Sequence, residues 1–415
     1  MDSSDKQIDQ ALVERAHKPH YLYLSEEQYA QLLQYKHFAP KTPYEEFMLN
    51  RVTIHIERSC MPQWWTANTF TILGNTMLFV AGGLCMYFGG LSYTLNEDGS
   101  EKADDEYLPK WCFYFSAFAV QWFSWWDMMD GQRARRLKCG TPIGRIVDEA
   151  GDGIQYAWVA MIMGYVMKME PGWLCLSFGL INLPMYSMET KFIFTGKLSI
   201  TAGGDGLGPV EIELLFFLVF LTCGIFGVSG LGKPVADLVG DWLSDQFLWK
   251  HLLAVVFILL LSLFTIENLI DSFKINFKQT SIYMANPVLT ILNAALAGFL
   301  GLYTFTNEFV VFFLLHQMAF CISSYRLMIH NMTKKAFRIF GIEHLFVVLP
   351  TLVHCTKYVE AIDVSGAERY VTYVCTCSLY ILFYTHMYLL AQQYLARNPE
   401  RNFWVIKKPK ADMSQ

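Results

Sequence analysis

The chain has 415 residues, of which 53 % are hydrophobic and 17 % charged, and its formal net charge is −5. Soluble domains carry about a quarter charged residues, and here the apolar residues are grouped in long runs, which points to lipid rather than water as the surrounding solvent. No Lys/Arg-rich face is large enough to make nucleic acid a main ligand.

Met1 to Pro19 is polar and lacks the apolar stretch of a cleavable signal peptide, so the first membrane span would itself act as the targeting signal. Two helix starts follow. Ser25 precedes Glu26, Glu27 and Gln28, and Thr42-Pro43-Tyr44-Glu45 has capping-box spacing with proline at the first helical position. The next stretch mixes Phe47, Met48, Leu49, Val52 and Ile54 with Glu46, Arg51, Glu57 and Arg58. That composition suits either an amphipathic region on the membrane surface, with Trp64 and Trp65 at headgroup depth, or an ordinary cytosolic subdomain.

Apolar runs then occur near 69–92, 111–129, 153–167, 172–187, 211–231, 247–268, 287–304, 308–329, 339–353 and 368–391. Each can form a helix across all or most of the hydrocarbon layer, although His344 and Pro350 interrupt the ninth. The runs are continuously apolar rather than alternating, which disfavours a closed barrel. The expected fold is therefore an all-α integral membrane protein with about ten transmembrane helices and an N-terminal amphipathic cytosolic region.

Three regions are expected: residues 1–68 as the cytosolic or interfacial region, 69–391 as a polytopic domain, and 392–415 as a basic cytosolic tail containing Lys407, Lys408 and Lys410. Placing both termini in the cytosol puts Arg133, Arg135, Arg136 and Lys138 there, together with Lys191, Lys197, Lys274, Lys278, Lys334, Lys335 and Arg338. The acidic 95–106 loop and the sparsely basic 232–246 loop fall opposite. This division obeys the positive-inside tendency and requires an even number of spans. The ten cysteines lack zinc-site spacing and read as small apolar packing residues. His316, His330, His344, His354 and His386, in or beside apolar segments, read as structural histidines.

Chemistry concentrates between Asp127 and Asp152. Asp127 and Asp130, three apart, share a helix face; Asp148 and Asp152, four apart, share one at the start of the next helix; Gly140, Thr141 and Pro142 supply the turn between. Four carboxylates beside lipid need a cationic partner. Arg133, Arg135 or Arg145 can supply it as a structural ion-pair network. Alternatively a divalent ion can, since hard oxygen ligands suit magnesium, manganese or calcium and such ions bind substrate phosphates. Gly131 and Ala134 leave room for a bulky substrate near the helix surface.

The strip resembles the signature of the CDP-alcohol phosphotransferase family, D-x2-D-G-x2-A-R-x8-G-x3-D-x3-D, at Asp127, Asp130, Gly131, Ala134, Arg135, Gly144, Asp148 and Asp152. Pro62-Gln63-Trp64-Trp65-Thr66-Ala67-Asn68, Thr195-Gly196-Lys197-Leu198 and Gly208-Pro209-Val210-Glu211 resemble stretches of its eukaryotic choline/ethanolamine phosphotransferase branch. A count of about ten spans agrees with that branch. The resemblance implies that Asp127, Asp130, Asp148 and Asp152 hold two ions, Mg2+ or Mn2+, that accept the pyrophosphate of CDP-ethanolamine or CDP-choline. It implies substrate contacts at Gly131, Ala134, Arg135 and Gly144, and diacylglycerol arriving from the bilayer to attack phosphorus and release CMP. A homodimer among membrane lipids, in the endoplasmic reticulum or Golgi membrane with the active site cytosolic, is implied likewise.

One departure matters. The branch reads D-H-G-x-D in the second half of its signature, with the histidine as the expected base, whereas this chain reads Asp148-Glu149-Ala150-Gly151-Asp152, and Arg145 stands where the branch has an acid. Glu149 and Asp152 are therefore the candidate catalytic acids, Glu149 being a weaker base than histidine. Glu149 paired structurally with Arg145, a different head group or lipid acceptor, and a non-catalytic scaffold retaining the fold are the competing readings. Glu189 and Lys191 near Thr195, and Asp205 before Glu211, are further candidates for substrate contact.

Overall fold

In the computed structural model, residues 23–35, 41–92, 108–198, 208–239, 246–360, 364–398 and 401–404 are described. The expected features at Met1–Pro19, in the 95–106 loop, at Asp205, at 240–245 and at Lys407 to Lys410 lie outside the described residues.

Helix starts follow local chemistry. In α1 (Glu26–Gln34) the Gln28 amide donates to Ser25 Oγ at 3.2 Å while the Ser25 amide donates to Gln28 Oε1 at 3.1 Å, a reciprocal cap that satisfies two orphan donors. In α2 (Pro43–Met48) the Glu45 amide donates to Thr42 Oγ1 at 3.0 Å and Pro43 occupies the first turn. A π-helical turn over Leu49–Thr53 joins α2 to α3 (Ile54–Ser59), so the amphipathic stretch is re-phased within its length. Met48 and Leu49 bury against Met128 and Val210, while Phe47 and Trp64 stay exposed.

The long helices are α4 (Ala67–Gly89), α5 (Lys110–Arg136), α6 (Pro142–Met167), α7 (Pro171–Thr195) and α8 (Pro209–Phe226). After the short α9 (Ala236–Val239) come α10 (Trp249–Leu300), the short α11 (Tyr303–Asn307), α12 (Phe309–Thr333), α13 (Ile342–Glu360) and α14 (Ser365–Arg397). Proline opens α6, α7 and α8, where its missing N–H costs nothing. Left-handed glycines at Gly196 and Gly301 close α7 and α10.

The count of membrane-crossing helices corrects the expectation. Among the described residues five helices, α4, α8, α10, α12 and α14, are long and apolar enough to cross a membrane by length and composition, not about ten. The all-α, multi-pass character stands. Two expected spans, 247–268 and 287–304, belong to one 52-residue helix that leaves helical dihedrals at Asn276, and so count once. The others fall short on composition: α5 combines tryptophans, serines and glutamine with terminal charges, α6 carries Arg145, Asp148, Glu149, Asp152 and Gln155, α7 carries Asn182, Pro184 and Glu189, and α13 carries Glu343, His344, Pro350 and His354. Within the structure, the N-terminal segment and the end of α14 meet directly. The Gln393 side chain exchanges two 2.8 Å hydrogen bonds with the Leu24 backbone, and Asn398 Nδ2 donates to Tyr29 OH at 2.8 Å.

α12 is the axis of the bundle. Nearly all its side chains are buried, and it touches α1, α6, α7, α10, α13 and α14. Around it, α4 lies along α5 and α6, and α8 covers the other side of α5. The close approach of α4 depends on small residues: a Cβ at Gly74 would sit 2.7 Å from Trp126 Cβ, and one at Gly82 would overlap the Trp158 ring. In lipid such packing, rather than apolar transfer, holds helices together. This packing brings the C-terminal end of α5 against the N-terminal end of α6, with α4 across both.

A carboxylate cluster between two helices

The turn expected at Gly140–Pro142 separates the two helices that carry the aspartates. Thr141 caps α6 by accepting from the Gly144 amide at 2.9 Å, which sets the phase of Asp148 and Asp152. One oxygen each of Asp127, Asp148 and Asp152 lie within 4.8 Å of one another. Asp130 is buried beside them and accepts a hydrogen bond from Thr71 Oγ1 of α4. Asp148 Oδ1 and Asp152 Oδ1 are buried without a hydrogen-bond partner.

Neither α5 nor α6 is among the five helices long and apolar enough to cross a membrane. Burial, and then repulsion between the carboxylates themselves, pushes Asp127, Asp148 and Asp152 well above the ordinary carboxylate range. Burial lifts Asp130 to about 7 against the opposing hydrogen bond from Thr71. A buried group of this kind needs either protons or a cation.

The nearby arginines do not supply that cation. Arg133, fully buried, lies 2.7 Å from Glu57 and donates to Pro62 O at 2.7 Å and Gln63 Oε1 at 3.0 Å. Arg136 meets the same Glu57 oxygen at 2.7 Å. Arg145 donates to Glu189 at 2.8 Å and to Tyr35 OH, and its Nε stands 3.6 Å from Glu149. Arg135 is exposed and folds back over Gly131, its Nη1 only 3.1 Å from where a Cβ would be. Among the described residues no lysine or arginine forms an ion pair with any of the four aspartates. The structural ion-pair network therefore exists, but on Glu57 and Glu189. The aspartate cluster itself is an all-oxygen donor set able to chelate a metal ion, and its two orphaned oxygens fit a hard divalent cation.

The remaining expected positions divide. Gly131, Ala134 and Arg135 share the last turns of α5 next to the cluster. Gly144 lies against α4, a Cβ there falling 3.4 Å from Asn68 Oδ1. Glu149 is half-buried, outside the group of three mutually close aspartates and turned to Arg145. Glu211 accepts from the Gly208 amide at 2.9 Å and from Thr42 Oγ1, which makes it part of a helix start. Glu189 is held by Arg145 and Asn331, and Lys191 by Asp271 at 2.8 Å. Four of the five singled-out histidines bond to neighbouring backbone, and His386 stacks on Tyr325.

Three residues at the cluster escaped the reading of the sequence. Thr71 holds Asp130; Asn75 abuts α6, its Nδ2 2.8 Å from where a Gly151 Cβ would stand; Glu213 of α8 accepts from Tyr156 OH at 3.4 Å and keeps its other oxygen buried and unpartnered. Glu213 adds its charge to Asp127 and Asp152. Their signals were present: Asn68, Thr71 and Asn75 recur every three or four residues on α4, and Glu213 interrupts an apolar run.

Residues 64–258 match the family model described as CDP-alcohol phosphatidyltransferase. An uncharacterized CDP-alcohol phosphatidyltransferase class-I family protein 2 of Dictyostelium discoideum is 24 % identical over 265 residues, 63 % of this chain and 58 % of that protein. Choline/ethanolaminephosphotransferase 1 of Arabidopsis thaliana is 25 % identical over 171 residues, 40 % of this chain and 39 % of the relative. Choline/ethanolaminephosphotransferase 1 of Saccharomyces cerevisiae is 24 % identical over 180 residues, 41 % of each. The matched regions thus span less than two thirds of these relatives.

Proposed function

We propose that the chain, whose residues 64–258 match the CDP-alcohol phosphatidyltransferase family model, acts as a member of that family and transfers phosphoethanolamine or phosphocholine from CDP-ethanolamine or CDP-choline to diacylglycerol. The products are CMP and phosphatidylethanolamine or phosphatidylcholine. The observation that carries this reading is the convergence of Asp127, Asp130, Asp148 and Asp152 with, among the described residues, no arginine or lysine in an ion pair with them.

Asp127, Asp148 and Asp152, with Asp130 oriented by Thr71, are the residues that would hold Mg2+ or Mn2+. When bound, such ions supply charge neutralisation for the pyrophosphate and stabilise CMP as it leaves. The chain's own residues align the reactants. Gly131 and Ala134 keep the surface of α5 low where the cytidine lies, and Arg135 reaches phosphate by a change of rotamer. Gly144, against Asn68, lets the phosphates approach the start of α6, whose amides favour anions.

The acceptor hydroxyl oxygen forms a bond to the phosphorus that bears the head group, and the bond from that phosphorus to the CMP oxygen breaks. The hydroxyl proton passes to a carboxylate, Glu149 or Asp152; Asp152 has the unpartnered Oδ1, and Glu149 is steadied by Arg145. Helices packed around the cluster limit the water that would compete as acceptor.

The test is the purified chain in lipid nanodiscs with diacylglycerol, Mg2+ or Mn2+, and each labelled CDP-alcohol. Incorporation of label into lipid with equimolar CMP is the expected result. No incorporation from either CDP-alcohol, in protein that still binds the metal, would overturn the proposal.

A further inference from the structure

Between the end of α12 and the start of α13 the chain runs from Lys334 to Gly341 as neither helix nor strand. Three side chains pin its backbone from the bundle: His330 Nδ1 donates to Lys335 O, Arg326 Nη2 to Arg338 O and Asn286 Nδ2 to Ile339 O, each at 2.6 Å. Exposure alternates residue by residue along this strap, as in an extended chain. Phe337 packs on Tyr283 and His330, while Lys334, Arg338 and Phe340 face out.

The same hydrogen bonds lead to the break in α10. His330 Nε2 accepts from Tyr283 OH at 2.8 Å, Tyr283 OH accepts from Gln279 Nε2 at 2.5 Å, and the Gln279 amide donates to Asn276 Oδ1 at 3.0 Å. Asn276 is the residue with non-helical dihedrals, and Lys274, Phe277 and Lys278 around it are exposed. Strap and break are thus tied into one rim. It lies at the end of the bundle where α6 starts, because Asn331, three residues before Lys334, holds Glu189, and Glu189 holds Arg145.

The rim carries two unmet demands. Among the described residues none of Lys274, Lys278, Lys334 and Arg338 makes an ion pair; Asp271 is taken by Lys191 at 2.8 Å and Glu343 by Arg326. Beside these cations Phe277 and Phe340 are 71 % and 68 % exposed. An acidic protein in solution would answer the charge, but aromatic rings interleaved with long cationic side chains fit the boundary between acyl chains and head groups. Four cations without counter-charge select anionic head groups at that boundary.

We propose that this rim is a docking surface for anionic phospholipids of the leaflet at the aspartate end of the bundle. Lys274, Lys278, Lys334 and Arg338 meet the head groups, and Phe277 and Phe340 enter the upper acyl region. This surface goes beyond the transfer reaction and does not depend on it.

The test is electron paramagnetic resonance of spin-labelled phosphatidylserine and phosphatidylcholine around the full chain in nanodiscs, which reports how strongly each lipid is held at the protein surface. Phosphatidylserine is expected to be held about fivefold more strongly at low salt, and the preference should fade at high salt. With Lys274→Gln, Lys278→Gln, Lys334→Gln and Arg338→Gln combined, the preference should fall below about twofold. Lys274→Arg, Lys278→Arg, Lys334→Arg and Arg338→Lys combined should retain it, which separates charge from fold. Asp127→Asn with Asp148→Asn should also retain it, so the outcome stands apart from the transferase reading. No preference in the parent chain, or a preference that the glutamine variant keeps, overturns the proposal. So does loss of the preference to inorganic phosphate at matched ionic strength, or saturable binding of polyglutamate in its place, which would assign the rim to free anions or to an acidic protein.

Discussion

Two sets of buried charges stand within three turns of each other on α5 and are treated in opposite ways. Arg133 and Arg136 are closed off: one oxygen of Glu57 lies 2.7 Å from both guanidiniums, and Pro62 O and Gln63 take further N–H groups. Asp127 and Asp130, one or two turns earlier, are grouped with Asp148 and Asp152, and Asp130 accepts a hydrogen bond from Thr71 Oγ1. The protein thus has Arg133 and Arg136 beside its aspartates and commits them to Glu57. The first set anchors the N-terminal region to the bundle; the second is the set proposed to take up a metal ion.

The contrast is broken most severely at the open set. Asp127→Asn or Asp148→Asn keeps side-chain size but weakens ligation, and should lower transfer by about 10³-fold, roughly 4 kcal/mol of transition-state stabilisation, with thermal unfolding unchanged. Retention of more than about a tenth of parental turnover would remove these residues from the metal site. The closed set should show the reverse signature. Glu57→Gln leaves a fully buried Arg133 without its counter-charge and should cost about 3 kcal/mol of stability. Reversible denaturation in detergent checks this, and Mn2+ affinity should remain close to that of the parent.

Between the two sets lies Glu149, and its variant sharpens the comparison. As proton acceptor, Glu149→Gln should reduce turnover about 100-fold with CDP-alcohol affinity reduced far less. If Glu149 serves only as Arg145's structural partner, the loss appears in stability instead, and Arg145→Gln added to it gives less than the sum of the two single effects. Turnover of Glu149→Gln near the parental value across pH 6 to 9 would pass the proton to Asp152. The smallest effect is expected at Thr71→Val, which removes the hydroxyl from Asp130 and should weaken metal binding about tenfold, as loss of a group orienting a ligand does.

What was legible in the sequence was local. Spacings of three and four put Asp127 with Asp130 and Asp148 with Asp152, and Ser25, Thr42 and the turn at Gly140–Pro142 act as their chemistry requires. What was not legible depends on distant packing. Arg145 finds Glu189 on α7, Arg133 finds Glu57 on α3, and Asp130 finds Thr71 on α4, none of them a neighbour in sequence. The number of membrane crossings failed for a related reason. An apolar run records what its own side chains avoid, but not that two runs share the single kinked helix α10, nor that the polar residues within α7 and α13 are sheltered by α12.

The central claim is that the four aspartates form an open site for divalent metal. Equilibrium titration of Mn2+, followed by electron paramagnetic resonance on the full chain in nanodiscs, tests it without requiring turnover. Saturable binding is predicted that Glu57→Gln preserves and that Asp127→Asn combined with Asp148→Asn abolishes. Absence of saturable binding in the parent chain, or equal binding in the double aspartate variant, would contradict it.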